Sequence, residues 1–317
     1  MMLDKNTETA NTEDAPRGVK SLSAETRALL HRHDLRAKKS LGQHFLVDRS
    51  VLRQIIAASD LNKSDVVMEI GPGLGVLTRE LALRAGQVIA VEVDRHLAEI
   101  LREELHSFDN VRIVNRDILE LTPESLMEEM ASSFAPSVNP LSYRVVANLP
   151  YYITSAVLKH FLTAGLKPTA VVVMVQKEVA RAIVARPGDM SLLAVSVQLY
   201  GQPAIVRTVP AKSFYPAPEV DSAILKIELF PRPQVSITDE ASFFTLVRAG
   251  FSASRKQIVN SLAQGLGLPK QDTLNLLEEA GVARMRRAET LTLEEWIKLW
   301  RVYAKTGEEN ANDSGSG

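Results

Sequence analysis

An amide, a proline and two phenols follow directly on an apolar, β-branched run in the stretch VVANLPYY, residues 145–152. Pro150 cannot donate to a sheet ladder and favours an extended residue before it, so a strand should end here. Asn148 would then lie at the carboxyl end of a strand, where ligands of open α/β sheets bind. The Asn148 side-chain oxygen and the Pro150 carbonyl can both accept hydrogen bonds from an exocyclic amino group, with Tyr151 beside them. On these residues alone, an ordinary Asn-x-Pro turn is the simpler interpretation.

A glycine-rich turn follows another apolar run in the stretch EIGPGLGVLT, residues 69–78. Gly71, Gly73 and Gly75 permit a tight turn and let a ligand approach the backbone and the amino terminus of the next helix. Val76 occupies the position that holds the third glycine of a dinucleotide phosphate cradle. A pyrophosphate ligand is therefore disfavoured.

Acidic residues end the next two predicted strands. Glu92, 21 residues beyond Gly71, can accept both hydroxyls of a ribose, and Asp117 can accept from an adenine amino group. Glu92 could instead cap the following helix, as could Asp94. A glycine turn, a ribose carboxylate and an adenine-reading carboxylate in this order favour S-adenosylmethionine, whose sulfonium carries no phosphate. With that methyl donor beside it, Asn148 is better interpreted as a catalytic residue than as a turn residue.

Short β-branched runs alternate with amphipathic stretches from residue 66 onward, which predicts an α/β fold with a doubly wound, Rossmann-like parallel sheet. The predicted strands are VVMEI, QVIAVEV, VRIV, YRVVAN and AVVVMVQ. Two later segments, GQPAIVRTV and SAILKIEL, lie near proline-rich turns and should form an antiparallel edge. After residue 237 only helical spacing recurs, which predicts a smaller all-α carboxyl-terminal domain.

The charge is unevenly distributed along the 317 residues. Residues 1–14 and 307–317 each carry −3, so that the net charge of −1 leaves +5 for residues 15–306. Seven Lys and Arg residues lie within residues 17–39, which indicates either a solvated face or a polyanionic partner. The absence of cysteine excludes disulfides and thiolate metal sites, and we expect no metal. With no apolar run of membrane-spanning length and no signal-like amino terminus, a cytoplasmic protein without a membrane partner is expected.

Several motifs together resemble the KsgA-type ribosomal RNA adenine dimethyltransferases. They are KKSLGQHFLVD, EIGPGLGVLT, VEVD, NRDIL, NLPYYITS and FYPAPEVDSAIL, and the similarity continues through RAETLTLEEW in the helical part. The resemblance implies dimethylation at N6 of two adjacent adenosines in the 3′-terminal hairpin of small-subunit (16S) rRNA, with S-adenosylmethionine as cofactor. It also implies a late role in 30S subunit biogenesis, with the immature small ribosomal subunit as partner of a monomeric enzyme.

The resemblance also assigns site residues by position. The implied cofactor contacts are His44, Leu46, Gly71, Gly73, Glu92, Asp117 and Asn148. The catalytic set is Asn148, Pro150, Tyr151 and Phe214. Tyr151 and Phe214 are expected to hold the target base between them, although Phe214 could instead be a core aromatic. His44 stands where many relatives have Asn, and Ala156 replaces a frequent proline. RNA contacts are expected from Lys38, Lys39, Arg255, Lys256, Arg286 and Arg287.

Four segments are expected on these grounds. They are a flexible basic extension (1–37), a Rossmann-like methyltransferase domain (38–234), a helical RNA-binding domain (235–306) and a disordered tail (307–317).

Three alternatives to this function remain. A large-subunit rRNA adenine methyltransferase of the macrolide-resistance type is disfavoured by the match through RAETLTLEEW. A non-catalytic RNA-binding assembly factor is disfavoured by the intact Asn148, Pro150 and Tyr151, and a nicotinamide oxidoreductase by Val76.

Overall fold

The computed structural model describes residues 21–35, 37, 42–132, 138, 142–231, 239–253 and 255–313, with side chains as far as residue 305. The strands are β1 (Phe45–Leu46), β2 (Val66–Ile70), β3 (Gln87–Val91), β4 (Val111–Val114), β5 (Tyr143–Asn148), β6 (Ala170–Gln176), β7 (Gly201–Val209), β8 (Phe214–Tyr215) and β9 (Ser222–Leu229). The helices are α1 (Leu22–Arg32), α2 (Arg49–Ser59), α3 (Val76–Ala82), α4 (Arg95–Glu104), α5 (Pro123–Ala131), α6 (Thr154–Leu162), α7 (Lys177–Ile183), α8 (Leu192–Gln198), α9 (Glu240–Phe251), α10 (Ile258–Leu266), α11 (Lys270–Glu279) and α12 (Leu293–Asp313). None of the helices within these described ranges is long and apolar enough to span a bilayer.

Seven strands form one sheet in the order β4-β3-β2-β5-β6-β9-β7. Strands β2 to β6 are parallel, whereas β9 and β7 run antiparallel to their neighbours. Most residues of the central strands are buried, because helices cover both faces of the sheet, and this explains their continuous apolar runs. The predicted α/β class, the parallel core and the antiparallel edge are confirmed.

The chain reverses its direction of travel across the sheet between β2 and β5. It proceeds from β2 outward through β3 to β4, and then returns to place β5 on the other side of β2. Such a switch point opens a crevice at the carboxyl ends of the two central strands. The ends of β2 and β5 carry the glycine turn and Asn148, respectively.

The helical part packs directly on the sheet part. One buried apolar cluster extends from strand residues such as Val145 to Trp296 of α12. The Tyr200 hydroxyl donates to Glu240 of α9 at 2.7 Å, and two backbone amides of the loop between α7 and α8 donate to the Glu289 carbonyl. The all-α carboxyl-terminal part is thus confirmed, and its core is continuous with that of the sheet.

Helix α1 corrects part of the expected flexible extension. Residues 22–32 are ordered by an amphipathic pattern that buries Leu22, Thr26 and Leu30, and Ser21 caps the helix by accepting from the Ala24 amide. Leu30 packs in one cluster with Leu74 of the glycine turn and Leu97 of α4. Burial of these leucines supplies the stabilisation that a charge count cannot reveal.

Helix α12 corrects part of the expected disordered tail, because it continues to Asp313. Gly307 lowers helix propensity by about 1 kcal/mol, but neither it nor the polar residues after it stop the helix. Residues 1–20 and 314–317, together with the predicted boundary between residues 234 and 235, lie outside the described residues.

Candidate active site

A cavity opens at the carboxyl ends of β2, β3 and β5. Nine of the residues predicted for the site line it: His44, Leu46, Gly71, Gly73, Glu92, Asp117, Asn148, Pro150 and Tyr151. They come together because the strands are parallel, so that residues following successive strands meet at the same edge of the sheet.

The glycine turn forms the floor between β2 and α3. Gly75 has a φ of 75°, a conformation that favours glycine, and a Cβ atom there would also lie 2.9 Å from the end of the Leu101 side chain, which would have to shift. Gly73 has a φ of 58° and donates its amide to Glu92 at 3.2 Å. This hydrogen bond therefore fixes the end of β2 relative to the end of β3.

Glu92 is almost fully buried at the end of β3. One of its oxygens accepts from Gly73 and the other from the Asp94 amide at 2.9 Å. Burial raises the pKa of the Glu92 carboxyl, whereas these amide donors oppose the rise. Asp94 caps α4 by accepting from the His96 amide. The sequence left open whether Glu92 or Asp94 caps the helix. In the structure Asp94 is the cap, and Glu92 faces the cavity.

Asp117 follows β4 and lines the same cavity. Its Oδ1 atom accepts from the Leu119 amide at 2.9 Å and caps a short helical turn over Ile118–Glu120. This cap fixes the carboxylate and leaves Oδ2 as the atom that can accept from a ligand.

Asn148 is the last residue of β5, and a hydrogen bond fixes the nitrogen end of its side-chain amide. Its Nδ2 atom donates to the backbone carbonyl of His44 at 2.9 Å. Because the amide nitrogen is occupied, the oxygen Oδ1 is the end that can accept a hydrogen bond from a substrate. The Pro150 carbonyl provides a second acceptor nearby, although the Ile153 amide already donates to it at 3.2 Å.

His44 and Tyr151 form an aromatic pair beside Asn148. Their ring centroids are 5.9 Å apart with an angle of 26° between the planes. The His44 Nδ1 atom lies 2.7 Å from the Pro216 carbonyl, which can only accept, so Nδ1 carries a proton. The Tyr151 hydroxyl lies 2.7 Å from Ser222 Oγ on β9. Both rings are therefore anchored at their polar ends.

Phe214 is a core residue, which corrects its expected place on the target base. Its side chain is 4% exposed in the buried cluster that includes Leu46, and it lies outside the described lining of the cavity. Strand alternation instead exposes the next residue, Tyr215, which is 41% exposed and has the Arg27 guanidinium 5.1 Å from its ring centroid. The structure thus favours the alternative interpretation that the sequence had left open for Phe214.

Glu69 is a cavity residue that the sequence reading missed. It lies on β2, is fully buried, and its Oε2 atom has no hydrogen-bond partner among the described residues. Burial raises the pKa of the Glu69 carboxyl to about 8, the neighbouring Glu92 acts in the same direction, and the Thr78 hydroxyl opposes it. A lone acidic residue inside the apolar run VVMEI was the available signal.

The predicted RNA contacts divide into exposed cations and a structural brace. Arg255, Lys256 and Arg287 are exposed. Arg286 is instead half-buried, paired with Glu295 and bonded through its guanidinium to the hydroxyl and carbonyl oxygens of Thr290. Its expected role as a free phosphate contact is therefore corrected. Lys38 and Lys39 lie outside the described residues.

Comparison with known proteins matches residues 34–305 to the family model described as ribosomal RNA adenine dimethylase. The chain belongs to this family. The predicted resemblance and the enzyme class, an rRNA adenine dimethyltransferase, are confirmed.

Relatives within and near the family support the same conclusion. The chain is 52% identical over 287 residues to a ribosomal RNA small subunit methyltransferase A of Dehalococcoides mccartyi, covering 90% of this chain and 94% of the relative. It is 45% identical to the protein of that name from Moorella thermoacetica, covering 87% and 96%. Among solved structures it is similar to a dimethyladenosine transferase from Plasmodium falciparum (TM-score 0.67, 25% identity, covering 83% and 98%). It is also similar to the 23S rRNA methyltransferase ErmE (TM-score 0.62, 31% identity, covering 81% and 98%).

Proposed function

We propose that this chain dimethylates N6 of two adjacent adenosines in the 3′-terminal hairpin of small-subunit rRNA, late in the assembly of the subunit, with S-adenosylmethionine as methyl donor. The observation that carries the proposal is the orientation of Asn148. Its amide nitrogen is held by the His44 carbonyl, which leaves Oδ1 to accept from an amino group at the mouth of the cavity.

The cavity suits a nucleoside that carries no phosphate. Glu92 can take the ribose hydroxyls, Asp117 can take the adenine amino group, and the glycine turn leaves the backbone open to the ligand. Arg116 lines the cavity, but its guanidinium is already paired with Glu129 at 3.0 Å and is not available for a phosphate. The buried Glu69, with an unpartnered oxygen, adds a carboxyl group at the base of the cavity that can take part in a hydrogen bond. These polar groups together fit the adenosine and the amino acid part of S-adenosylmethionine.

Bound S-adenosylmethionine supplies an electrophilic methyl group on a sulfonium. The nitrogen of an adenine amino group is a poor nucleophile, because its lone pair is conjugated with the ring. Hydrogen bonds to Asn148 Oδ1 and the Pro150 carbonyl would bend that nitrogen toward tetrahedral geometry. No general base is needed, because the proton can leave after transfer, so the main contribution of these residues is to hold the amino group in line with the methyl group.

Tyr151 is the residue that can hold the extruded base. Its ring is half-buried and its hydroxyl is anchored on Ser222, so the ring is preorganised for stacking, which is worth about 1 to 3 kcal/mol per base. Dimethylation requires that the same position readmit a monomethylated amine. The exposed cations Arg255, Lys256 and Arg287 would neutralise phosphates of the surrounding RNA.

The choice between the two ribosomal subunits rests on the relatives. Similarity to proteins named for the small subunit reaches 52% identity, against 31% for ErmE, which is named for 23S rRNA. The large-subunit reaction is therefore the second candidate.

Methylation of unmodified subunits tests the proposal. The purified chain and labelled S-adenosylmethionine are incubated with small or large subunits from cells that lack the modifications, and the labelled nucleotides are mapped. Label on two adjacent adenosines near the 3′ end of the small-subunit rRNA is expected, and Asn148→Ala is the matched control. Label on the large-subunit rRNA would support the second candidate, and absence of label on either would refute the proposal.

A further inference from the structure

A tight turn over residues 283–286 presents an exposed methionine. The Arg286 amide donates to the Ala283 carbonyl at 3.1 Å, so that Arg284 and Met285 occupy the two central positions of the turn. Met285 is 65% exposed. A single exposed apolar side chain needs no explanation by itself, so the surroundings of Met285 decide its meaning.

The Met285 turn is fixed on both sides. On one side, Arg286 binds Glu295 and two oxygens of Thr290. On the other side, the Ile258 amide donates to the Arg286 carbonyl at 2.7 Å. The turn is thus tied to α10 and α12, and Met285 extends from a braced position.

Cations surround this methionine. Arg284 and Arg287 are its exposed neighbours in sequence, and the bond between Ile258 and Arg286 brings the exposed loop residues Arg255 and Lys256 alongside. The acidic residues of the same turn region are already paired, Glu295 with Arg286 and Glu289 with Arg287 at 3.6 Å. The surface around Met285 therefore carries an excess of positive charge, with one polarisable, apolar side chain at its centre.

We propose that Met285 packs against an unstacked base of the ribosomal RNA while the surrounding cations hold its phosphates. The inference rests on the proposed function, which makes RNA the partner, and it assigns the apolar part of that contact. A thioether contacts aromatic rings favourably, and methionine is among the side chains that proteins insert at base steps. Cations and methionine thus have different tasks. The cations give affinity that depends on salt, and Met285 gives affinity that does not.

Affinity for unmodified small subunits, measured with the full-length chain over a series of KCl concentrations, tests this division. Met285→Ala should weaken binding roughly threefold to tenfold at every salt concentration, with an unchanged slope of log affinity against log salt. Arg284→Ala should weaken binding and also make that slope shallower by about one. Met285→Leu, which keeps the apolar bulk but loses the sulfur, should restore most of the affinity lost in Met285→Ala. Leu83→Ala, which truncates another exposed apolar side chain (58%) at the end of α3, should have no effect.

Three outcomes would overturn the inference. They are wild-type affinity for Met285→Ala, a slope change equal to that of Arg284→Ala, and weakened binding without any rRNA base losing its protection from chemical modification. The last outcome would indicate a ribosomal protein as the partner of Met285. A failure of the proposed function is distinguished because the wild-type chain would then not methylate these subunits, whereas failure of the inference alone leaves methylation intact.

Discussion

The hydrogen bond from Asn148 Nδ2 to the His44 carbonyl decides which end of the amide meets the substrate. Asn148→Ala removes one of two acceptors for the target amine and leaves the exposed cations of the helical part unchanged. We expect turnover to fall by roughly a hundredfold or more, as it does when one preorganised hydrogen-bonding group is deleted at a reacting centre. Single-turnover methylation and subunit pelleting on the same preparation measure both halves of this prediction. Near-normal methylation, or loss of subunit binding, would contradict it.

Glu92 offers a second test at the level of one residue. Both of its carboxylate oxygens accept from backbone amides, so a glutamine would turn an NH2 group toward one of these donors. We expect Glu92→Ala to weaken S-adenosylmethionine binding by about 2 kcal/mol, and Glu92→Gln to weaken it less. Titration calorimetry measures both affinities. Equal affinity for the wild type and Glu92→Ala would exclude Glu92 as a cofactor ligand.

Glu69 should make stability depend on pH. Its pKa is raised from 4.5 to about 8 in the folded state, so the folded protein holds this proton more tightly than the unfolded chain does. The stabilisation is complete below pH 4.5 and is lost as the pH rises through about 8. As the pH rises from 5 to 8, the melting temperature of Glu69→Gln should therefore fall less than that of the wild type. We expect a difference of roughly ten degrees, since each pKa unit corresponds to about 1.4 kcal/mol and each 1 kcal/mol shifts the midpoint by roughly 2–4 °C. If the melting temperatures of the wild type and Glu69→Gln changed equally with pH, Glu69 would not have the raised pKa in the folded state.

At the scale of elements, α1 supports the cofactor cavity from behind. Leu30 packs against Leu74 of the glycine turn and Leu97, both of which line the cavity. We expect Leu30→Ala to cost about 2 kcal/mol of stability and to weaken cofactor binding, because Leu74 loses its support. Leu276→Ala is the matched control, since Leu276 is a similarly buried leucine of α11 that lies outside the cavity lining. Equal effects of the two variants on cofactor affinity would show that α1 contributes only general stability.

At the scale of the whole molecule, the shared core predicts one unfolding transition. The two tryptophans, Trp296 and Trp300, are both buried in the helical part, so their fluorescence reports that part alone. Circular dichroism reports the sheet and the helices together. We expect the two melting curves to coincide, and saturating S-adenosylmethionine to raise the fluorescence midpoint although its site lies at the sheet. If the fluorescence midpoint lay below the circular dichroism midpoint and did not change with S-adenosylmethionine, the sheet part and the helical part would be independent units.

The elements of the sheet and the position of the site follow from local sequence. Runs such as VVMEI and YRVVAN are strands because continuous β-branched residues suit a sheet buried on both faces. Residues that end successive parallel strands must meet at one edge, so Gly71, Glu92, Asp117 and Asn148 could be placed together without coordinates.

Which atoms face the ligand is decided by partners far away along the chain. Asn148 takes its orientation from a carbonyl 104 residues earlier, and β1 pairs with β8 through Leu46 and Phe214, which buries the phenylalanine and exposes Tyr215. Helix α1 is likewise ordered by packing of Leu30 against Leu74, which follows much later in the chain on the glycine turn. Periodicity and spacing report only neighbours within a few residues, whereas the burial and pairing of a side chain depend on long-range packing that only the tertiary structure supplies.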